Sequence, residues 1–142
     1  MFVLNNTILS FKNYFFQKLK LVYDVAEVEQ LYCLTFYYFK GWGKVELRMN
    51  EQLLLSESEL LKLNSIVKRL ANSEPIQHVF SKAEFFDLEF YVDEDVLIPR
   101  QETEELVHLI LEHSKGKCKN LLDIGTGTGC IPIAISANNR SK

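Results

Sequence analysis

Three glycines in one short loop are the residues of this chain whose spacing most clearly suggests chemistry. Gly125, Gly127 and Gly129 follow the apolar run Leu121–Ile124 and precede a second apolar stretch. This pattern predicts a buried strand, a glycine loop and the start of a helix. The glycines would let the backbone approach a ligand closely, and the N–H groups at the helix start attract anions. The loop therefore predicts a site for a nucleotide-like molecule that carries a carboxylate or a phosphate.

The spacing of the loop argues against two common nucleotide motifs. A dinucleotide loop reads G-x-G-x-x-G, but here Cys130 stands where its third glycine belongs. A Walker loop needs a lysine after its last glycine, and none follows. The stretch instead resembles the D-x-G-x-G-x-G loop of S-adenosylmethionine-dependent methyltransferases, with a glycine-rich turn that binds nothing as the alternative. That resemblance implies that six residues bind S-adenosyl-L-methionine: Asp123, Gly125, Thr126, Gly127, Thr128 and Gly129.

A second stretch resembles one particular methyltransferase family. The segment Val96–Leu106 contains Ile-Pro-Arg followed by Gln-Glu-Thr-Glu, and it lies one helix upstream of the loop. Together with Glu74-Pro75-Ile76 and Glu84-Phe85-Phe86, it resembles the protein-glutamine N5-methyltransferases of the HemK/PrmC family, which modify peptide-chain release factors. That family typically reads I-P-R-P-[DE]-T-E, and this chain departs once, with Gln101 in place of the second proline.

The resemblance implies a specific reaction, partner and compartment. The reaction would be methyl transfer from S-adenosyl-L-methionine to a glutamine side-chain amide of a release factor in the cytoplasm, with Arg100 and Thr103 lining the pocket. The family's Asn-Pro-Pro-Tyr motif, which holds the substrate glutamine, is absent from these 142 residues. We therefore expect an N-terminal fragment that contains no catalytic residue and is inactive alone. Two alternatives stay open, a nucleic-acid adenine-N6 methyltransferase and a non-catalytic helical module that binds a protein.

Composition and charge favour a cytoplasmic protein that binds neither membrane nor nucleic acid. Residues 1–74 contain nine basic and eight acidic residues, and residues 75–142 contain seven and eleven. Neither half has the basic surface expected of a nucleic-acid binder. No apolar run approaches the ~20 residues of a membrane span, and the N-terminus lacks the features of a signal peptide. Three scattered cysteines without a C-x-x-C pair predict neither a zinc site nor disulfides: Cys33, Cys118 and Cys130.

Helix signals fill the first half of the chain. Capping residues precede three predicted helices: Asn6 or Thr7 for the first, Asp24 for the second and Ser56 for the third. Gly41 and Gly43 end the second helix. The third helix should reach about Leu70, and residues 71–75 mark a stop and a domain boundary. We therefore expect residues 1–73 to form a helical bundle, and the resemblance implies that this bundle recognises the substrate.

The second half of the chain changes to the period of a strand. Apolar and polar residues alternate from Leu88 to Val92, and residues 83–86 supply a partner, with a turn near Asp87. We expect residues 74–95 to form this β-hairpin linker. Residues 96–142 should then begin a Rossmann-like class I methyltransferase domain, so the predicted fold class is α plus α/β, truncated.

Two helices and one strand are predicted in that incomplete domain. The first helix should pack through Leu106, Val107, Ile110 and His113. The negative charges of Glu102, Glu104 and Glu105 in its first turn should interact favourably with the helix dipole. It should end at Lys115-Gly116-Lys117, and residues 120–124 should form the first sheet strand. Since no later strand follows to cover it, we expect the last helix to expose Ile131, Ile133 and Ile135.

Overall fold

The chain forms two compact units in a computed structural model that describes residues 5–114 and 120–139. The first unit ends at Phe80 and the second begins at Ser81. The helices of the first unit are α1 (Ile8–Leu19), α2 (Val25–Lys40), α3 (Lys44–Met49), α4 (Glu57–Ala71) and α5 (Ile76–Phe80). The second unit contains β1 (Lys82–Phe85), β2 (Leu88–Tyr91), α6 (Gln101–Ser114) and α7 (Cys130–Asn139).

The predicted ends of the first two helices are confirmed by their capping bonds. The Thr7 hydroxyl accepts the Ser10 N–H at 3.2 Å, and Asp24 Oδ1 accepts the Glu27 N–H at 2.8 Å. Each bond satisfies one of the N–H groups that a helix start leaves without an intrahelical partner. Gly41 ends α2 in the left-handed conformation, with φ of 71°, as the glycine pattern predicts.

The predicted cap of α4, Ser56, forms a capping box with Glu59, and Lys40 adds an ion pair to it. The Ser56 N–H donates to Glu59 Oε2 at 2.8 Å, and the Glu59 N–H donates to Ser56 Oγ at 3.3 Å. Lys40 Nζ of α2 donates to Glu59 Oε1. These hydrogen bonds, that from Lys40 first, lower the pKa of the Glu59 carboxyl to about 2.

Aromatic side chains of α1 and α2 build the core of the first unit. Phe11 and Phe36 are buried with ring centroids 6.0 Å apart, and Phe15 and Tyr32 are buried at 5.5 Å. Both pairs meet edge to face, the arrangement that aromatic quadrupoles favour. The aromatic run that begins at Phe36 thus contributes Phe36 to this core.

The segment 45–55, which the sequence leaves ambiguous, forms α3 and then a clasp for the start of α1. The Ile8 N–H donates to the Leu53 carbonyl at 3.1 Å, and the Leu55 N–H donates to the Asn6 carbonyl at 2.7 Å. These bonds supply partners for backbone groups that helix geometry alone cannot satisfy. The clasp therefore fixes where α1 begins.

Arg69 holds the short helix α5 against the end of α4. Its Nε donates to Glu74 Oε2 at 2.8 Å, and its Nη1 donates to the Val79 carbonyl at 2.8 Å. The hydrogen bond from Arg69 lowers the pKa of the Glu74 carboxyl. The chain therefore continues to pack with the helices as far as Phe80, beyond the stop signal at residues 71–75.

The predicted hairpin is confirmed, and its turn has an uncommon backbone. Strands β1 and β2 are antiparallel, with Lys82 opposite Tyr91 and Phe85 opposite Leu88. The two turn residues, Phe86 and Asp87, have φ of 52° and 59°. Two-residue turns of this conformation normally use glycine or asparagine, because a larger side chain costs roughly 1–2 kcal/mol in the left-handed region.

The prediction of a sheet strand at residues 120–124 is wrong for the structure as described. Residues 120–123 belong to no ladder, and the hairpin is the only sheet within residues 5–114 and 120–139. A strand needs a neighbour for its backbone groups, and no segment in these ranges provides one. Leu122 and Ile124 are consequently 82% and 88% exposed. The Rossmann-like start of the domain stays a prediction.

Helix α6 buries a narrower face than predicted. Val107 is fully buried and Ile110 is half-buried, but Leu106 and His113 are exposed. The His113 ring bonds to the Leu109 carbonyl through Nδ1 at 2.8 Å instead of packing. The predicted stop at residues 115–117, like Cys118, lies outside the described residues.

Helix α7 is packed more deeply than the sequence indicates. Ile133 is exposed as expected, but Ile135 is only 3% exposed, so that part of the prediction is wrong. Ile135 belongs to the same core cluster as Val107 of α6 and Phe85 and Phe90 of the hairpin. These side chains supply an apolar cover that does not depend on a parallel sheet.

Candidate cofactor site

The glycine loop adopts a backbone conformation that favours glycine at every second position. The φ angles of Gly125, Gly127 and Gly129 are 76°, 55° and 73°. The Gly129 N–H donates to the Thr126 carbonyl at 2.9 Å, which closes the turn that leads into α7. Residues with a Cβ rarely adopt this left-handed conformation. The spacing of the three glycines is therefore explained by local geometry.

Two of the three glycines face open space and the third packs against the helix. A Cβ built at Gly125 or Gly127 meets no atom of the described chain within 4 Å. A Cβ at Gly129 would lie 3.3 Å from Ile133 Cδ1. The backbone at Gly125 and Gly127 is thus accessible to a ligand, whereas Gly129 allows α7 to start close to the loop.

The start of α7 supplies backbone donors beside the loop. The helix begins at Cys130, and the Ile133 N–H donates to the Gly129 carbonyl at 3.1 Å. Pro132 has no N–H, so its place in the first turn breaks no hydrogen bond. The N–H groups of Cys130 and Ile131 precede the first intrahelical bond and lie at the positive end of the helix dipole. This geometry suits a carboxylate.

Asp123 places a buried, unpartnered oxygen at the entrance to the loop. Its Oδ2 atom is buried and accepts no hydrogen bond from the described residues. A buried polar atom in this condition costs about 1–3 kcal/mol, and such atoms call for a functional explanation. Asp123 Oδ2 is therefore available to accept a hydrogen bond from a ligand. Together with the open glycines, it fits the cofactor that the sequence predicts.

The two predicted pocket-lining residues lie at the start of α6. Arg100 is exposed, Thr103 is half-buried, and the Thr103 N–H donates to the Arg100 carbonyl at 3.0 Å. Within the described part of the chain, no hydrogen bond or ion pair joins either residue to residues 123–129. Their role in lining a pocket stays a prediction.

Glu104 has a role that the sequence interpretation missed. We predicted that it serves only the dipole of α6, but its Oε1 accepts the Phe86 N–H of the hairpin turn at 2.9 Å. The Phe86 ring lies 4.6 Å from the His108 ring of the same helix. The available signal was a two-residue turn, Phe86-Asp87, that contains no glycine and therefore needs support from elsewhere.

Residues 5–114 and 120–139 contain neither a cluster of metal ligands nor a membrane-spanning helix. There, no three His, Cys, Asp or Glu side chains come together as a metal site. None of the helices in these ranges combines the length and the apolar character needed to cross a bilayer. Cys33 is half-buried and Cys130 is buried, and both are free thiols.

Several known proteins similar to this chain share the name release factor glutamine methyltransferase. Residues 17–80 match the PrmC N-terminal domain family. The chain is 37% identical over 135 residues to a release factor glutamine methyltransferase of Flavobacterium psychrophilum, covering 92% of this chain and 47% of the relative. It is 39% identical over 125 residues to the enzyme of that name from Bacteroides thetaiotaomicron, covering 88% and 45%. A third, from Lactococcus lactis, is 48% identical over 82 residues, covering 58% and 30%.

These matches concern the two alternative functions and the share of each relative that the chain covers. The chain spans about half the length of the first two relatives, at 47% and 45%. Neither the adenine-N6 methyltransferase nor the non-catalytic binding module gains support from the names of the relatives.

Proposed function

The chain belongs to the HemK/PrmC family of protein-glutamine methyltransferases, and on that premise we propose the activity of the whole protein. It transfers a methyl group from S-adenosyl-L-methionine to the side-chain amide nitrogen of a glutamine in a peptide-chain release factor. In this proposal the first unit engages the release factor and the second holds the cofactor.

Six residues of the second unit would hold the cofactor: Asp123, Gly125, Thr126, Gly127, Thr128 and Gly129. When bound, S-adenosyl-L-methionine supplies a methyl group that its sulfonium has already activated. Gly125 and Gly127 allow close approach to the loop backbone, because no described atom occupies the space beside them. The N–H groups at the start of α7 suit the cofactor's carboxylate.

The observation that carries the proposal is the unpartnered oxygen of Asp123 beside the open glycines. Asp123 Oδ2 is buried without a hydrogen-bond partner among the described residues. A hydrogen bond from the cofactor would satisfy this oxygen and remove the cost of leaving it unpaired. A glycine-rich turn that binds nothing gives no reason to retain such an atom.

The substrate half of the reaction requires alignment more than acid–base chemistry. A glutamine amide nitrogen is a poor nucleophile, because its lone pair is delocalised into the carbonyl. The site must therefore hold the amide in line with the methyl group, which is a contribution of orientation. We assign no residue of this chain to that step, and propose Arg100 and Thr103 only as residues that line the pocket.

Methylation of a release factor by the whole protein tests the reaction. We expect labelled methyl groups to appear on one glutamine of the release factor, and a variant factor with that glutamine replaced by alanine to remain unlabelled. A duplex DNA substrate serves as the comparison. Labelled DNA together with an unlabelled release factor would contradict the proposal.

Substitution of Gly127 tests the cofactor site. In the whole protein, Gly127→Val should abolish detectable S-adenosyl-L-methionine binding in calorimetry, because a side chain there occupies the approach to the backbone. Gly41→Val is the matched control, since Gly41 has φ of 71° and the same open surroundings in the other unit. Undiminished affinity in Gly127→Val would exclude this loop as the site.

A further inference from the structure

A cavity in the first unit is lined by charged side chains that form no ion pair among the described residues. It has a volume of about 290 Å³ and lies among α1, α2, α3 and Glu51, which lies two positions beyond the end of α3. Its charged lining residues are Lys12, Glu29, Lys44, Arg48 and Glu51. Cavities that hold whole small molecules start at about 300 Å³. This one lies at the lower end of that range and has room for an amino-acid side chain.

The three cations of the cavity form no ion pair with a carboxylate of the described residues. Among the described residues, the ion pairs are Lys40–Glu59, Arg69–Glu74 and Lys82–Glu89. None of these pairs involves a residue of the cavity. Each ammonium or guanidinium group at the cavity can therefore pair with an incoming anion without losing an existing ion pair.

Aromatic rings hold Lys12 at the wall of the cavity. Its Nζ lies 5.7 Å from the centroid of Tyr32 and 5.9 Å from that of Phe16. A cation over a ring keeps its N–H donors, since the ring accepts no conventional hydrogen bond. Lys44 and Arg48 are four residues apart on α3, so their side chains share one face of that helix.

The floor of the cavity is neutral and can donate hydrogen bonds. Burial raises the pKa of the Tyr32 hydroxyl and of the half-buried Cys33 thiol, so both remain protonated at neutral pH. The Tyr32 hydroxyl makes no hydrogen bond to the described residues. An anion in the cavity would therefore meet cations at the walls and a protonated hydroxyl at the base.

The charge balance of the cavity favours an anionic occupant. Three cations and the two carboxylates of Glu29 and Glu51 leave one uncompensated positive charge, and one further carboxylate would neutralise it. Val45, whose side chain is largely exposed, also lines the cavity and offers contact to methylene groups. We infer that this cavity receives one Asp or Glu side chain of the protein substrate; the inference rests on the proposed function.

Kinetics of the whole protein test the inference. The double variant Lys44→Glu, Arg48→Glu should raise KM for the release factor roughly tenfold or more, because it turns an attractive contact into a repulsive one. The kcat and the affinity for S-adenosyl-L-methionine should stay unchanged. Lys62→Glu, Lys68→Glu is the matched control, since it makes the same charge change on exposed residues of α4 outside the cavity. An unchanged KM in the cavity variant would overturn the inference while leaving the proposed function intact.

A titration of the 142-residue chain separates failure of the site from failure of the function. Glutarate at millimolar concentration should shift the amide NMR signals of Cys33, Lys44 and Arg48 in the wild-type chain and not in the cavity double variant. Neutral glutaramide should shift neither. Absence of a glutarate shift would overturn the inference whether or not the release factor is methylated. If the release factor is not a substrate but glutarate binds, the proposed function fails and the cavity remains an acid-binding site.

Discussion

Glu104 Oε1 accepts the backbone N–H of Phe86 at 2.9 Å, and this bond links two elements 18 residues apart in the chain. Phe86 opens a hairpin turn whose two residues are both in the left-handed region. The carboxylate thus supports a conformation that the turn sequence does not favour by itself. It also ties the hairpin to the helix whose first residues include the proposed pocket-lining Thr103.

Replacing Glu104 should destabilise the hairpin turn at Phe86 and Asp87. In Glu104→Ala, we expect the Phe86 amide hydrogen to exchange roughly tenfold faster, because its acceptor is lost at a cost of ~1.4 kcal/mol. Glu104→Gln keeps an amide oxygen and should show a smaller change. Hydrogen exchange measured by NMR compares the three proteins, and equal rates in all of them would show that the bond does not support the turn.

Two substitutions of Asp87 test the left-handed turn, because they should change the free energy of unfolding in opposite directions. Asp87→Gly should raise the free energy of unfolding by roughly 0.5 kcal/mol, because glycine accepts φ of 59° without a steric cost. Asp87→Val should lower it by about 1–2 kcal/mol, because a β-branched side chain resists that conformation. Urea denaturation measures both values. A stabilising valine would contradict the assigned backbone.

The lowered pKa of Glu59 predicts a loss of stability in acid. The folded-state pKa is about 2 and the ordinary value is 4.5, so the carboxylate stabilises the fold above pH 4.5. That contribution disappears as the pH falls from 4.5 towards 2, because protonation removes the acceptor of Lys40 and Ser56. The free energy of unfolding should therefore fall more steeply over this window in wild type than in Glu59→Gln. Glu57→Gln, an exposed residue of the same helical turn, should behave like wild type.

The stretch 121–124 should exchange its amide hydrogens quickly. Its residues belong to no ladder among the described residues, whereas Leu63 and Val67 of α4 are buried within a capped helix. Exposed amides without hydrogen-bonded partners are the first to open. Hydrogen exchange on the 142-residue chain, proven monomeric, should show slow exchange in α4 and fast exchange from Leu121 to Ile124. Comparable protection in both would mean that this segment is paired.

Local signals in the sequence were sufficient for the helical unit. Asp24 and Ser56 cap their helices as predicted, and Thr7 is one of the two candidates for the first cap, because a cap depends on residues only two or three positions away. The hairpin was also predictable, since alternation over residues 88–92 reports one buried face. The short helix α5 was missed, because its position depends on Arg69 reaching across to Glu74 and the Val79 carbonyl.

The features that the sequence did not predict depend on packing between residues far apart in the chain. Ile135 is buried in one cluster with Val107, Phe85 and Phe90, and no local sequence pattern indicates that packing. For the cofactor loop, the left-handed geometry of Gly125, Gly127 and Gly129 follows from their spacing. The unpartnered state of Asp123 Oδ2 depends on burial in three dimensions, so the sequence alone gives no sign of it.

The exposure of Leu122 and Ile124 also bears on how this chain behaves when concentrated. Two aliphatic side chains, more than four-fifths exposed, flank backbone groups that pair with no described strand. An unpaired apolar edge of this kind is a template for intermolecular β-pairing and aggregation. Intermolecular pairing through this short segment should therefore lower the solubility of the 142-residue chain as its concentration rises.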